Sequence, residues 1–263
     1  MKRFAERLLW KLGYTLARHG DGPAHWLALN RRQASRAYEK IKASSMLSQR
    51  RLYVLFALVD LMNHQAVEGA LVECGVWRGG AVGMMACATR LRGSMRDLHL
   101  FDAFADVCEP DLAVDGERAI REVGGVDHAQ GRLRSVTGFY DRRGGHGTIE
   151  ACRRLLEDAL GYPPARIHFH PGWFQDTLTG ELPGLERIAL LRLDADWYAS
   201  TKVCLDRLYD RVAEGGVVMA DDYGAYDGCR KAVDEFIAGR SLRVFRNFVD
   251  TECMYWFKGR PWG

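Results

Sequence analysis

An α/β fold built on a mostly parallel sheet is predicted by three features of the chain. From Leu71 onward, short apolar runs alternate with helical patterns, as strands joined by crossover helices do. A glycine-rich turn, Gly75 to Gly80, follows the first run. Carboxylates end later runs, at Asp102, at Asp194 and at Asp221-Asp222.

Residues 1–69 are mostly helical in pattern, with an amphipathic helix expected over 49–62 and started by Ser48. They are expected to form a cap, dimer contact or lid, and residues 70–263 the main domain. Strands are expected at 70–74, 98–102, 166–170, 188–193, 217–220, 242–248 and 253–257. Helices are expected at 81–91, 148–160, 200–212 and 227–238. The last has Asp227 as its N-cap, Val233, Phe236 and Ile237 on one face, and Gly239 at its end. No long helix separates the final two strands, so they are expected to pair as an antiparallel edge hairpin. The 103–147 stretch carries Pro110 and paired glycines at 124–125 and 144–145. A polar segment of this length between strand and helix reads as an acceptor lid or binding loop.

Composition removes several function classes. A charge of +3 over 263 residues, spread along the chain, lacks the basic footprint of a nucleic-acid binder. Seven cysteines stand singly with no CxxC pair, which suits reduced thiols in the cytosol. No eighteen-residue apolar run occurs, so no transmembrane helix is expected. The basic, amphipathic first twenty residues lack the continuous core of a signal peptide. They could touch a membrane surface. Docking on the protein itself or on a second subunit is the plainer reading, and a homodimer or higher homo-oligomer is expected.

The turn Gly75-Val76-Trp77-Arg78-Gly79-Gly80 has GxxxGG spacing, not the GxGxxG that cradles a pyrophosphate. A cofactor without phosphates is therefore preferred. Asp102, ending the second strand, suits the two ribose hydroxyls of a nucleoside, and Glu73 suits the positively charged end of a sulfonium amino acid. If the fourth and fifth strands are neighbours, Asp194 meets Asp221 and Asp222. Such a cluster repels itself unless something positive sits within it. Oxygen donors without His or Cys point to Mg²⁺ or Mn²⁺. A divalent ion would lower the pKa of an aliphatic hydroxyl, and Asp196 is the candidate base. Asp194-Ala195-Asp196 also imitates the DxD of metal-dependent glycosyltransferases, the main rival. His168, His170 and Lys202 read as structural.

The segments VECGVWRGG (72–80), FDAF (101–104), GWFQDTL (172–178), LRLDADWYAST (191–201) and ADDYG (220–224) resemble the macrocin O-methyltransferase (TylF) family, over roughly residues 45–258. The resemblance implies a class I methyltransferase fold with a Rossmann-like sheet, S-adenosylmethionine, Mg²⁺ and a hydroxyl acceptor on a deoxysugar or surface glycan. It puts metal ligands on Asp194, Asp221 and Asp222 and the base on Asp196. Glu73, Gly75 and Asp102 would line the cofactor pocket, with Gly172, Trp173, Phe174, Gln175 and Asp176 around the adenine. Ser45-Met46 occupy the stretch that closes over the cofactor.

Overall fold

The computed structural model describes residues 31–91 and 93–259; the expected basic N-terminal helix lies outside them. Its α-helices are α1 (Arg31–Ile41), α2 (Gln49–His64), α3 (Gly80–Arg90), α4 (Gly116–Glu122), α5 (Ile149–Arg153), α6 (Phe174–Thr177), α7 (Tyr198–Leu208) and α8 (Asp227–Gly239). The strands are β1 (Ala70–Cys74), β2 (Leu98–Asp102), β3 (Ile167–Pro171), β4 (Ile188–Leu193), β5 (Val212–Ala220), β6 (Asn247–Phe248) and β7 (Met254–Phe257).

The sheet runs β3-β2-β1-β4-β5-β7-β6. Neighbours from β3 to β5 are parallel, whereas β7 is antiparallel to β5 and β6 to β7. This is the class I methyltransferase arrangement: a mostly parallel sheet with an antiparallel edge. The β1 and β4 strands are buried along their whole length because helices cover both faces. On one face α1, α2 and α3 pack against Leu71, Leu100, Leu190 and Met219. On the other, α7 and α8 pack against Val72, Leu191, Val218 and Trp256. Strand order reverses between β1 and β4, and the crevice beyond their carboxyl ends is where ligands of such sheets bind.

Several boundaries shift for nonlocal reasons. The expected strand at 242–248 shrinks to Asn247–Phe248 because only these two residues find partners, Tyr255 and Met254; Phe245 upstream is 81% exposed. The strand expected at 217–220 starts earlier, at Val212 opposite Ile188, and shifts register before Val217. The 148–160 helix is α-helical to Arg153 and continues as a π-helical stretch, Arg154–Ala159. Tyr226, not Asp227, is the N-cap of α8. Ser48 does cap α2, its hydroxyl accepting from the Arg51 backbone N–H at 3.2 Å.

His168 and His170 are sheet residues, as read. Both stack on His99 of β2, with centroids 4.5 and 5.3 Å away, and His99 Nδ1 lies 3.0 Å from His170 Nε2. Lys202 pairs with Asp206 on the exposed side of α7. Burial, then the neighbouring His168 and His170, lowers the His99 pKa to about 3. Its unfolded value is near the usual ~6.5. Between these values the unfolded chain binds more protons, so stability is lost as pH falls below ~6.5. Urea midpoints measured from pH 7 to pH 4 should fall, and His99→Phe should flatten that dependence; an unchanged slope in the variant would refute this role.

Candidate active site

Three backbone devices bring the strand ends together. Gly75 has φ +86°, and a Cβ there would lie 1.9 Å from the Asp194 carbonyl oxygen, so only glycine allows β1 and β4 to approach this closely. Gly80 does the same for the segment before α2: its Cβ would lie 2.4 Å from the Ser45 Cβ. Trp77, Phe104 and Asp196, just past β1, β2 and β4, have left-handed φ of 49°, 50° and 56°. Strain of this kind costs about 1–3 kcal/mol per residue and clusters at functional sites. Asp196 sits at the apex of a tight turn closed by Trp197 N–H to the Ala195 carbonyl at 2.6 Å.

A cavity open to solvent, about 460 Å³ with that open space included, lies at these tips, lined among others by Gly75, Asp102, Tyr140, Trp173, Asp194 and Asp196. Gly172 and Phe174 also face it; Gln175 and Asp176 do not. Asp176 is exposed, and Gln175 Oε1 is buried without a hydrogen-bond partner. Ser45 lies against the glycine loop rather than in the cavity, and Met46 is 48% exposed.

Two of the expected cofactor carboxylates have protein partners. Asp102 Oδ2 accepts from Val76 N (2.6 Å) and Trp77 N (3.0 Å), and Oδ1 from Phe104 N (2.7 Å). Burial pushes its pKa up against these three bonds. A carboxylate has about four lone-pair sites, so about one is left for a ribose hydroxyl rather than the full capacity expected. Glu73 is not at the edge: it is buried, with Oε1 2.5 Å from Arg192 Nη1. Burial raises its pKa to about 8 despite Arg192.

The acidic cluster forms as the neighbouring strands require. One carboxylate oxygen from each of Asp194, Asp221 and Asp222 lies within 4.8 Å of the others. Two of the three also meet arginines. Arg192 Nη2 is 3.0 Å from Asp194 Oδ2 and 3.1 Å from Asp221 Oδ1, and Arg51 Nη1 donates to Asp221 Oδ2 at 2.8 Å. Arg192 and Arg51, missed in the sequence, are thus resident cations of the site.

They do not balance it. Glu73, Asp194, Asp196, Asp221 and Asp222 face two guanidinium groups, one of which, Arg51, also serves Asp250 and Glu252. Burial first, then mutual repulsion with Asp194, pushes Asp196 and Asp222 well above the carboxylate range. The donors suit a hard divalent ion: all are oxygens, and one from each residue lies within 4.8 Å of the others.

Comparison with known proteins adds four findings. Residues 17–128 and 157–258 match the family model described as macrocin-O-methyltransferase (TylF). The 8-demethyl-8-(2,3-dimethoxy-alpha-L-rhamnosyl)-tetracenomycin-C 4'-O-methyltransferase of Streptomyces olivaceus is 36% identical over 218 residues, 81% of this chain and 75% of that protein. Demethyldecarbamoylnovobiocin O-methyltransferase of Streptomyces niveus is 32% identical over 219 residues, 83% and 77% of the two chains. The structure of the O-methyltransferase NovP aligns with a TM-score of 0.67 at 27% identity, covering 91% of this chain and all of that one. The glycosyltransferase reading of Asp194-Ala195-Asp196 finds no support.

The 103–147 region is a packed wall, not a loose loop. Ala119, Ile120, Val123 and Val136 form a small core with Trp197 and Tyr226. Buried Asp115 accepts from Tyr198 N at 2.7 Å, capping α7 from 83 residues away, and Trp197 Nε1 donates to the Cys108 carbonyl at 2.8 Å. Asp115→Ala should therefore cost about 1–2 kcal/mol through the lost cap, read as a lower thermal midpoint; an unchanged midpoint would show the cap to be idle.

Proposed function

The chain belongs to the macrocin O-methyltransferase (TylF) family, and on that premise we propose that it methylates a sugar hydroxyl of a glycosylated natural product. It is an S-adenosylmethionine-dependent O-methyltransferase; the acceptor class is inferred from relatives such as the tetracenomycin enzyme, whose name carries a rhamnosyl group. One observation supports the reading above others. The carboxylates of Asp194, Asp221 and Asp222 converge beside a cavity that also presents Asp102 and Asp196.

S-adenosylmethionine supplies an electrophilic methyl group, and a divalent ion supplies charge that lowers the pKa of a nearby hydroxyl. Everything else falls to the chain. Gly75 and Gly79 let the backbone approach the donor, and the remaining lone pair of Asp102 takes a ribose hydroxyl. Trp173 and Phe174 offer flat apolar walls to the adenine, with Gly172 giving room at the turn. Ser45 and Met46, at the glycine loop, cover the donor. Asp176 is exposed and stays outside, and Glu73 serves as counter-ion to Arg192 instead of touching the donor.

Asp194, Asp221 and Asp222 would hold Mg²⁺ or Mn²⁺. Asp196 faces the cavity, and its burial next to Asp194 gives it the raised proton affinity that a base needs. It takes the proton at its carboxylate as the acceptor oxygen accepts the methyl group. Tyr140, from the 103–147 wall, stands across the same cavity and contributes to the acceptor side.

Calorimetry should detect S-adenosylhomocysteine binding and no response to nucleoside-diphosphate sugars. With labelled methyl donor and a panel of deoxysugar glycosides, Asp196→Asn should lower turnover by about 10²–10⁴-fold and retain metal. EDTA, Asp194→Ala and Asp221→Ala should each abolish turnover. Full activity in EDTA would remove the metal from the mechanism, and label appearing only in a surface polysaccharide would replace the acceptor.

A further inference from the structure

Arg51 lies on the first turn of α2, three residues after Ser48. A cation there is opposed by the helix dipole, and this one is 12% exposed, so it also loses hydration. Three carboxylates hold it nonetheless. Nη1 donates to Asp221 Oδ2 at 2.8 Å, Nε and Nη2 fork onto Asp250 at 2.7 and 3.0 Å, and Nη2 reaches Glu252 at 2.8 Å. Asp250 is itself rigid, because its Oδ1 accepts from Glu252 N and Cys253 N in the turn between β6 and β7. Glu252 in turn accepts from Arg118 of α4 at 2.7 Å.

The two ends of this arrangement matter. Residues 44–45, just upstream of α2, press against Gly80 at the donor loop. At the other end Arg51 fixes one oxygen of Asp221, while the other, Oδ1, is buried without a hydrogen bond and faces Arg192. Arg51 therefore sets which Asp221 oxygen is offered to a cation, and it rides on the helix that begins at the donor loop.

We propose that Arg51 is a positioning residue that couples occupation of the donor site to cation affinity at Asp194, Asp221 and Asp222. The proposal rests on the methyltransferase reading above. A shift of the 44–48 segment on donor binding moves the first turn of α2, and with it the guanidinium that orients Asp221. Coupling is reciprocal by linkage, so the cation must tighten donor binding by the same factor. Arg118, bound to the far side of Glu252, is outside this path.

The test is S-adenosylhomocysteine calorimetry on the full chain with and without Mn²⁺, and Mn²⁺ titration by EPR with and without S-adenosylhomocysteine. In the parent protein each ligand should tighten the other by at least about fivefold, the lower end of typical couplings. Arg51→Met should bring both factors below about twofold, and Arg118→Met should leave them unchanged. Arg51→Lys, which keeps the charge but cannot fork, should fall between. Should Arg51→Met fail to melt cooperatively, Arg51→Lys and Glu252→Gln carry the test, and parental factors in both would overturn the proposal. So would a parental factor in folded Arg51→Met, or independent binding of the two ligands to the parent. If the parent bound neither ligand, the methyltransferase reading itself would fall, and the coupling with it.

Discussion

The guanidinium of Arg192 has no route to water, and the site is arranged around that fact. An unpaired buried cation is strongly destabilising, so the strands on either side of β4 must bring it partners. Register does this: Glu73 of β1 and Met219 of β5 sit directly across from Arg192, and Asp221 lies two residues beyond Met219 on the same face. The result is a line from Glu73 through Arg192 to Asp221 and Arg51, joining three strands to α2. The same line permits Asp194 and Asp221 to stand close without flying apart. A one-residue slip of β1 or β5 would turn the partner side chains to the other face and leave the guanidinium bare, so this buried charge specifies register where the apolar residues around it do not.

The 103–147 side of the cavity is held by different means. The 103–147 wall has its own small apolar core, and it is pinned to the chemistry loop at both Trp197 and Tyr198. Asp106 accepts from Gly138 N and Tyr140 N, fixing the turn that delivers Tyr140 to the cavity. The matched family stretches omit residues 129–156, the part of the chain that contains Tyr140. Gly75, Asp102, Trp173, Asp194 and Asp196 thus lie in matched stretches, and Tyr140, which lines the same cavity, does not.

Much of this was legible in the residues. The runs at 70–74, 98–102 and 188–193 coincide with β1, β2 and β4 because buried parallel strands are continuous apolar runs bounded by turns. The convergence of Asp194 with Asp221-Asp222 followed from a crossover between adjacent strands. What stayed hidden depended on distant partners. The start of α7 is set by Asp115, and no local cap announces it. Glu73 reads as a pocket acid until its register partner Arg192 is known. Two signals were available and unused: an arginine inside the otherwise apolar run Ile188–Leu193, and a basic residue in the first turn of α2. Each breaks a local rule, and such breaks mark functional or strained places.

Arginines and a divalent ion are two ways to counter the charge of the same cluster. Arg192 and Arg51 reach Asp194 and Asp221, and a purely structural network would stop there. Asp222 separates the two. Its side chain takes the Asp196 backbone N–H at 3.4 Å, and neither guanidinium bonds to it. A planar guanidinium reaches carboxylates along its edges but cannot fill a gap enclosed by three. An ion at the common centre would relieve all three contacts at once and leave Arg192 and Arg51 where they are. The arginines hold Asp194 and Asp221 from behind and leave the space between the three carboxylates free for the divalent, oxygen-seeking ion proposed above.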